Sequence, residues 1–171
     1  LFFFSDSEDT NTLYVKANKE EKVMVVPALT GLGAPHWNPN IRGAIFGLSR
    51  NTSIADIVKA TLDSLSLQTL DLLTSMQKDS KIKLKEIRVD GGMINNNNFI
   101  QSLSNINQIK IIKPNNIETT SLGVAYLAAI QSGVIKNFSE INNLWKARKI
   151  YKPKISKKFI SYKINKWKEI I

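Results

Sequence analysis

The stretch KEIRVDGGMINNNNFIQSLSNINQIKIIKP, residues 85–114, decides the fold class. Residues 85–89 alternate into a glycine pair, which is typical of a strand followed by a tight turn. The apolar residues that follow have the spacing of one helix face: Phe99, Ile100, Leu103 and Ile106. A second apolar run over 109–112 is ended by Pro114. Strand, turn, helix and strand in this order predict an α/β layer structure.

The preceding sequence extends the same alternation. Short apolar runs at 23–26 and 44–48 predict two strands. They are joined by a loop in which residues 30–40 contain two glycines and two prolines. Ser53 and Asp56 form a capping box, and apolar residues at helical spacing continue to Met76. We therefore predict a helix about 35 Å long that lies along the core.

Two more helices are predicted towards the end of the chain. One begins near Thr119 and ends at Gly133, and its small residues allow its backbone to approach a neighbour closely. The other begins after Ser156 and is amphipathic, with Ile160 and Trp167 on its apolar face.

Composition excludes several classes of protein. A chain of 171 residues with 43% hydrophobic and 22% charged residues can form one domain with a full-sized core. Its apolar runs are shorter than the roughly 18 residues of a membrane helix, and no signal peptide is predicted. The chain has no cysteine and one histidine, His36, which excludes disulfides, thiolate catalysis and a histidine-based metal cluster.

The net charge of +10 is concentrated at the end of the chain. Residues 146–171 contain ten of the 24 basic residues and one of the 14 acidic residues, whereas the remainder carries a net charge of +1. Lysine greatly outnumbers arginine, as compositional drift would produce. We interpret this end as a solvated basic tail, with an anion-binding tail as the alternative.

These patterns predict three segments. Residues 1–22 are polar, with little periodicity, and are interpreted as the end of a preceding segment. Residues 23–145 form the main domain, and residues 146–171 form a basic amphipathic tail of the same domain. Because the chain starts at Leu1 rather than at a methionine, we expect it to be a piece of a longer protein.

The best candidate site is Asp90-Gly91-Gly92, between a predicted strand and a predicted helix. Glycine there permits positive φ and close approach of a ligand, and the helix start presents free N–H groups. The sequence matches neither a phosphate-loop nor a dinucleotide-binding motif. A purely structural turn is the alternative. The asparagines at 95–98 suit helix capping, and one of them could contact a nucleotide.

Other polar residues are more readily explained by structure. His36 and Trp37 are interpreted as aromatic residues that pack a loop onto the body, and Arg42 as holding that loop by pairing or reaching a phosphate. Glu118 suits a helix start. No close pair of carboxylates suggests a general acid and base, so the residues alone give a nucleotide site without a catalytic base.

Four ordered blocks carry a resemblance to a known family. They are TGLGAPHWNPNIRGAIFGLSR at 30–50, RVDGG at 88–92 with Asn96, ETTSLGVAYLA at 118–128, and a spaced signature. The signature residues are Gly43, Ile45, Gly47, Leu48, Asp56, Ile57, Ala60, Thr61, Leu62 and Asp63. Over about residues 23–133 the chain resembles the C-terminal domain of the FGGY family of carbohydrate kinases.

The resemblance implies an α/β, actin-like and ribonuclease-H-like ATPase fold, in which two domains close around ATP and a sugar or polyol. This chain would be the nucleotide-side domain. Gly92 and Asn96 would lie at the adenine nucleotide, with Asp90 and Gly91 shaping the turn. The catalytic aspartate, the polyol pocket and the groups that hold Mg²⁺ would lie before Leu1, so no catalytic residue and no metal ligand is expected here.

The details of the first block favour the members that phosphorylate glycerol. The implied reaction converts glycerol and ATP to sn-glycerol 3-phosphate and ADP, with the missing N-terminal domain as partner. A cytoplasmic location is implied, without nucleic-acid or membrane partners, and a homo-oligomer stays open. The isolated chain is expected to be inactive.

Two alternatives remain open at this point. A pentulose kinase of the same family shares the Pro-His-Trp-x-Pro-x-x-Arg-Gly stretch, although Thr30-Gly31-Leu32-Gly33-Ala34 argues against it. A basic binding module, or an inactive remnant of a kinase, is the alternative from another class.

Overall fold

The computed structural model describes residues 7–18, 20 and 22–171. Its helices are α1 (Ser7–Lys16), α2 (Ile54–Ser80), α3 (Asn97–Asn107), α4 (Thr119–Gln131), α5 (Phe138–Leu144) and α6 (Lys157–Ile170). Its strands are β1 (Met24–Val26), β2 (Ala44–Phe46), β3 (Glu86–Arg88), β4 (Lys110–Pro114) and β5 (Ala147–Tyr151). The strands and helices predicted from the sequence are all present.

Two small sheets organise the chain. β1 and β2 pair antiparallel, with Val25 opposite Ile45. The other sheet has the order β3-β4-β5, in which β3 and β4 are parallel and β4 and β5 are antiparallel. In the described part of the chain, β3 has a strand on one side only. The parallel pair is joined by the turn and helix α3, which is the connection that a parallel pair requires.

Helix α2 is the longest element, and its start is fixed by the predicted capping box. The Ser53 hydroxyl accepts a hydrogen bond from the N–H of Asp56, and the Asp56 side chain accepts one from the N–H of Ser53. The helix ends at Ser80, and its C-cap residue, Lys81, has a left-handed backbone (φ 57°). Its first half supplies most of its buried residues, including Leu62 and Leu67.

The core lies between α2, α3 and the strands. Ile100 of α3 and Ile111 of β4 are fully buried in a cluster that also contains Leu62 and Leu103. A second cluster joins β1, α2 and α6 around Trp167, which is also fully buried. The amphipathic end of the chain is therefore part of the core and not a free tail.

Asp63 is a buried charge at the junction of four helices. Lys59 Nζ donates to its Oδ2 at 2.8 Å, and Lys163 Nζ contacts the same oxygen. The hydroxyls of Tyr14 and Ser102 both donate to its Oδ1. Burial alone would raise the pKa of Asp63, but the ammonium groups of Lys163 and Lys59 outweigh it and hold that pKa below its usual value.

Three elements were not predicted from the sequence. Helix α1 lies within the segment 1–22, and packs on α2 and α3 through Tyr14. Helix α5 and strand β5 follow α4, and β5 opens the predicted basic tail with a sheet strand. Residues 1–6, 19 and 21 lie outside the described residues, so the predicted boundary at residue 23 stays a prediction.

The loop between β1 and β2 differs from its interpretation. Trp37 has a left-handed backbone (φ 49°) and is 76% exposed, so the interpretation of Trp37 as a packed aromatic was wrong. His36 instead holds the loop, because its Nε2 lies 3.2 Å from Oδ2 of Asp71 on α2. Arg42 donates to the carbonyls of Pro39 and Ile41, in agreement with a structural role.

Candidate functional site: a glycine turn beside two helix starts

The turn after β3 has the shape that the glycines predicted. Gly91 has φ +83°, a conformation that residues with a Cβ adopt at a cost, and its N–H donates to the carbonyl of Ile117 at 3.4 Å. A short 3₁₀ turn, Gly92–Asn95, follows. The hydrogen bond to Ile117 fixes this turn beside the segment that leads into α4.

Gly92 borders open space. It is exposed, and a Cβ built on it would have no neighbour within 4 Å among the described atoms. Packing within this chain therefore does not require glycine at position 92. Free space in front of exposed backbone is what close approach of a ligand needs.

The start of α4 lies against the turn. The hydroxyl of Thr119 donates to the carboxylate of Asp90, which joins the first residue of α4 to the turn after β3. Glu118 is the N-cap residue of α4, but its side chain makes no capping hydrogen bond. The first N–H groups of this 13-residue helix are therefore left without a side-chain cap. Such groups favour negative charge, including phosphate.

Asn96 is placed differently from Gly92. It is 1% exposed, and its Oδ1 accepts a hydrogen bond from the N–H of Phe99 at 2.9 Å, as the N-cap of α3. Its Nδ2 donates to the hydroxyl of Thr10 on α1 at 3.1 Å. Both ends of the amide are therefore hydrogen-bonded within the chain, so Asn96 stabilises the turn from its buried side.

The neighbouring asparagines also join the turn to other elements. Asn98 bonds the side chain and backbone of Asn11 on α1, and Asn97 accepts a hydrogen bond from the Tyr151 hydroxyl. Asn95 accepts one from Lys113 at 3.4 Å. The asparagine run thus connects α1, β4 and β5 around the turn, which sequence reasoning had assigned mainly to capping.

One carboxylate lies in the turn itself, residues 89–95. Asp90 is its only carboxylate, and it already accepts the hydrogen bond from Thr119. Within the described ranges, no group of three histidine, cysteine, aspartate or glutamate side chains is placed to hold a metal ion.

Asp71 is a polar junction that the sequence did not reveal. Its Oδ2 accepts hydrogen bonds from the Nε1 of Trp167 on α6 at 2.6 Å, and it is also the atom that contacts His36. His36 and Trp167 lie 35 and 96 positions from Asp71 in the chain, so no local pattern signals these contacts.

Comparison with known proteins identifies the fold and the family. The family model for the C-terminal domain of the FGGY family of carbohydrate kinases matches residues 5–132. The chain belongs to this family. The match begins within the segment 1–22 and ends just after α4, so it contains the whole candidate site.

The relatives in sequence include glycerol kinases. The chain is 45% identical to the glycerol kinase of Marinomonas sp. over 157 residues, which is 92% of the chain and 32% of that protein. It is 44% identical to the glycerol kinase of Malacoplasma penetrans over 151 residues, or 88% of the chain and 30% of that protein. The chain therefore spans about a third of the length of these relatives.

Solved structures agree with this family assignment. Glycerol kinase of Plasmodium falciparum, determined with ADP, matches 98% of the chain with a TM-score of 0.87 and 30% identity, over 33% of its own length. Xylulose kinase of Lactobacillus acidophilus matches 95% of the chain with a TM-score of 0.75 and 22% identity, over 33% of its length. The expected actin-like, ribonuclease-H-like ATPase fold is thereby confirmed.

One further property concerns membranes. In the described ranges, no helix combines the length and the apolar character that crossing a bilayer requires.

Proposed function

We propose that this chain is the nucleotide-side part of a kinase that phosphorylates glycerol with ATP, giving sn-glycerol 3-phosphate and ADP. The observation that carries the proposal is the 98% coverage, at a TM-score of 0.87, by a glycerol kinase determined with ADP. The glycine turn supports it, because exposed backbone at Gly92 lies next to a helix start that lacks a side-chain cap.

The four predicted site residues take distinct roles in this proposal. Gly92 allows the nucleotide to approach the backbone, and Gly91 supplies the positive φ that directs the turn. Asp90 fixes the first turn of α4 through Thr119. Asn96 holds the turn by capping α3 and bonding Thr10, so in this conformation it is a positioning residue.

The reaction needs groups that this chain does not supply. A base for the glycerol hydroxyl and ligands for Mg²⁺ are expected in the N-terminal part of the kinase. That part would be the partner that closes over the nucleotide. The chain's own contribution is one wall of a cleft, which excludes water when the two parts close.

The test is an ATP-dependent phosphorylation assay with glycerol and with xylulose, using the protein expressed from its full reading frame. We expect turnover of glycerol. We expect Gly92→Val to raise the KM for ATP, and the Kd for ADP, by about tenfold or more, because the valine methyls would occupy the space in front of the turn. The KM for glycerol should change little.

A matched variant controls for general damage. Gly33 is also exposed with no described atom near a built Cβ, so Gly33→Val introduces the same side chain away from the turn. It should leave the KM for ATP unchanged. Turnover of xylulose alone would replace glycerol by a pentulose as substrate. A folded protein that turns over neither substrate would refute the proposed activity and favour an inactive remnant.

The asparagine requires a separate pair of variants. Asn96→Ser keeps an N-cap side chain but removes the amide, whereas Asn96→Ala removes both. If Asn96 acts through the turn, Asn96→Ser should retain most of the ATP affinity that Asn96→Ala loses. Equal losses in both variants would indicate that the amide itself contacts the nucleotide.

A further inference from the structure

A polar pocket borders the asparagine run that follows Gly92. It has a volume of about 360 Å³ and is lined by Asn95, Asn97, Lys113, Arg148 and Lys149. Three of these five side chains are cationic, two are amides, and no carboxylate is among the described residues of its lining.

The strand pairing brings the cations together. Lys113 of β4 and Lys149 of β5 are directly opposite each other in the antiparallel pair. Like charges at such positions destabilise a sheet. Next to this pair the register shifts, because Pro114 is opposite Ala147, so Arg148 is the extra residue of a β-bulge. A bulge redirects side chains, and here it places Arg148 in the same pocket as Lys149.

Lys113 is buried without a countercharge. It is only 6% exposed, and its Nζ donates to the carbonyl of Ile94 at 2.7 Å and to the Asn95 side chain at 3.4 Å. Both acceptors are neutral. Burial lowers the pKa of Lys113, and the charges of Arg148 and Lys149 act in the same direction.

The other two cations have no carboxylate partner either. Lys149 lies over the ring of Tyr151, with its Nζ 4.8 Å from the ring centre. The guanidinium of Arg148 has no hydrogen-bond acceptor among the described residues, and both side chains are exposed to solvent. Three cationic side chains therefore line one pocket, and no carboxylate in the described part of the chain pairs with any of them.

We propose that this pocket binds a phosphate group. A planar guanidinium beside an ammonium suits the several oxygens of phosphate, and charge-assisted hydrogen bonds to both would offset the repulsion between Lys113 and Lys149. The group is either a free phosphate or phosphorylated small molecule, or a phosphate of the bound nucleotide. The proposal rests on the β4-β5 pair and not on the proposed kinase activity.

The experiment measures binding of inorganic phosphate by calorimetry, with ionic strength held constant by chloride. The protein is expressed from its full reading frame, without added nucleotide. The test variant is Arg148→Gln with Lys149→Gln, and the control variant, Lys136→Gln with Lys158→Gln, removes the same charge outside the pocket. We expect the test variant to bind phosphate at least about tenfold more weakly, and the control variant to bind it as the unaltered protein does.

Two further measurements sharpen the result. The test variant should unfold at the same denaturant concentration as the unaltered protein or at a higher one, because a like-charge pair is removed, and this excludes loss of folding as the cause. Competition by ADP would assign the phosphate group to the nucleotide, and its absence would assign the pocket to a separate phosphate. Equal phosphate affinity in the test and control variants would overturn the proposal. Occupation of the pocket by chloride strong enough to prevent phosphate binding would overturn it as well.

The proposed glycerol phosphorylation and the proposed phosphate pocket can be refuted independently of each other. Gly92→Val should leave phosphate binding without ADP unchanged, because Gly92 does not line this pocket. Loss of glycerol phosphorylation with retained phosphate binding would reject only the proposed activity. The reverse result would reject only the phosphate pocket.

Discussion

Helices α3 and α4 are similar in length but differ in how this chain surrounds them. α3 has seven buried residues in 11, among them the fully buried Ile100, and contacts α2 and the sheet. α4 has 13 residues, none of which is buried, although its sequence TTSLGVAYLAAIQ is mostly apolar. Val124 is 65% exposed and Leu127 is 57% exposed.

The difference separates a self-sufficient region from one that needs a partner. An apolar helix normally lies in a core, so exposed apolar residues along α4 indicate a surface that another part of a protein covers. The chain spans about a third of its relatives' length, and β3 has an unpaired side among the described strands. We therefore expect substitutions near α3 to affect this chain by itself, and those on α4 to matter when the rest of the kinase is present.

The largest effect is expected at Asp63, the carboxylate that is buried between α2 and α3. Asp63→Ala should lower the free energy of unfolding by about 4 kcal/mol, because it leaves Lys59 and Lys163 without their shared countercharge. Asp79→Ala, near the exposed end of the same helix, is the matched control and should cost less than about 0.5 kcal/mol. Denaturant unfolding followed by circular dichroism measures both, and equal costs would contradict this interpretation of the cluster.

Acid should weaken the same region. Because the pKa of Asp63 is lowered in the folded state, its contribution is complete above the usual pKa of aspartate, about 4, and is lost as pH falls below that value towards the folded pKa. The unaltered protein should therefore lose more stability between about pH 5 and pH 2 than Asp63→Asn does. Parallel stability curves for the two proteins would show that Asp63 is not linked to folding in this way.

A pair of identical substitutions compares the two helices directly. Leu103→Ala on α3 should cost about 3 kcal/mol, because Leu103 is 5% exposed and its removal leaves a cavity in the core. Leu127→Ala on α4 should cost less than about 0.5 kcal/mol in this chain. In the protein expressed from its full reading frame, the Leu127→Ala cost should rise. If it stays small there, the exposed side of α4 has no partner in the kinase.

The N-caps of α3 and α5 again compare a buried helix with an exposed one, and the expected differences in stability are smaller. Asn96→Ala removes a buried N-cap of α3 and should cost about 2 kcal/mol. Asn137→Ala removes the cap of α5, which has no buried residue, and should cost at most about 0.5 kcal/mol in global unfolding. Thermal and denaturant unfolding of the two variants measures this difference, and a larger cost at Asn137 would reverse it.

The smallest effect is expected at the turn itself. Gly92→Ala should change the free energy of unfolding by less than about 0.5 kcal/mol, because its Cβ meets no described atom. Gly91→Ala should cost at least about 1 kcal/mol, because Gly91 combines φ 83° with ψ 173°, a backbone region that is essentially restricted to glycine. Both variants are measured by denaturant unfolding, and an equal cost would indicate that the two glycines share the same constraint.

The sequence predicted elements whose determinants are local. Ser53 and Asp56 mark the start of α2, and the spacing from Phe99 to Ile106 marks α3. Helix α1 was missed because its sequence SEDTNTLYVK has few apolar residues, and Tyr14 is placed by a contact with Asp63, 49 residues away. Strand β5 was missed because four of its five residues are exposed and two of the five are basic.

In the candidate site too, local sequence predicted some features and missed those that depend on distant residues. The glycine pair indicated the turn and its positive φ, since glycine is the residue that such backbone requires. The burial of Asn96 was not predictable, because its amide is directed by Thr10, 86 residues earlier. The basic pocket needs the register of β4 and β5 and the bulge at Arg148, which no pattern in the sequence reveals.

The buried carboxylate of Asp63 also constrains the order in which the molecule can assemble. Its contact with Lys163 joins residues 100 positions apart, and closing so long a loop is slow compared with forming α2 or the turn. During synthesis, α6 leaves the ribosome after α2 and α3. Until then Asp63 has only Lys59 as a countercharge, and the surface that Trp167 later covers is open to water. Folding of this domain is therefore completed only after α6 has left the ribosome.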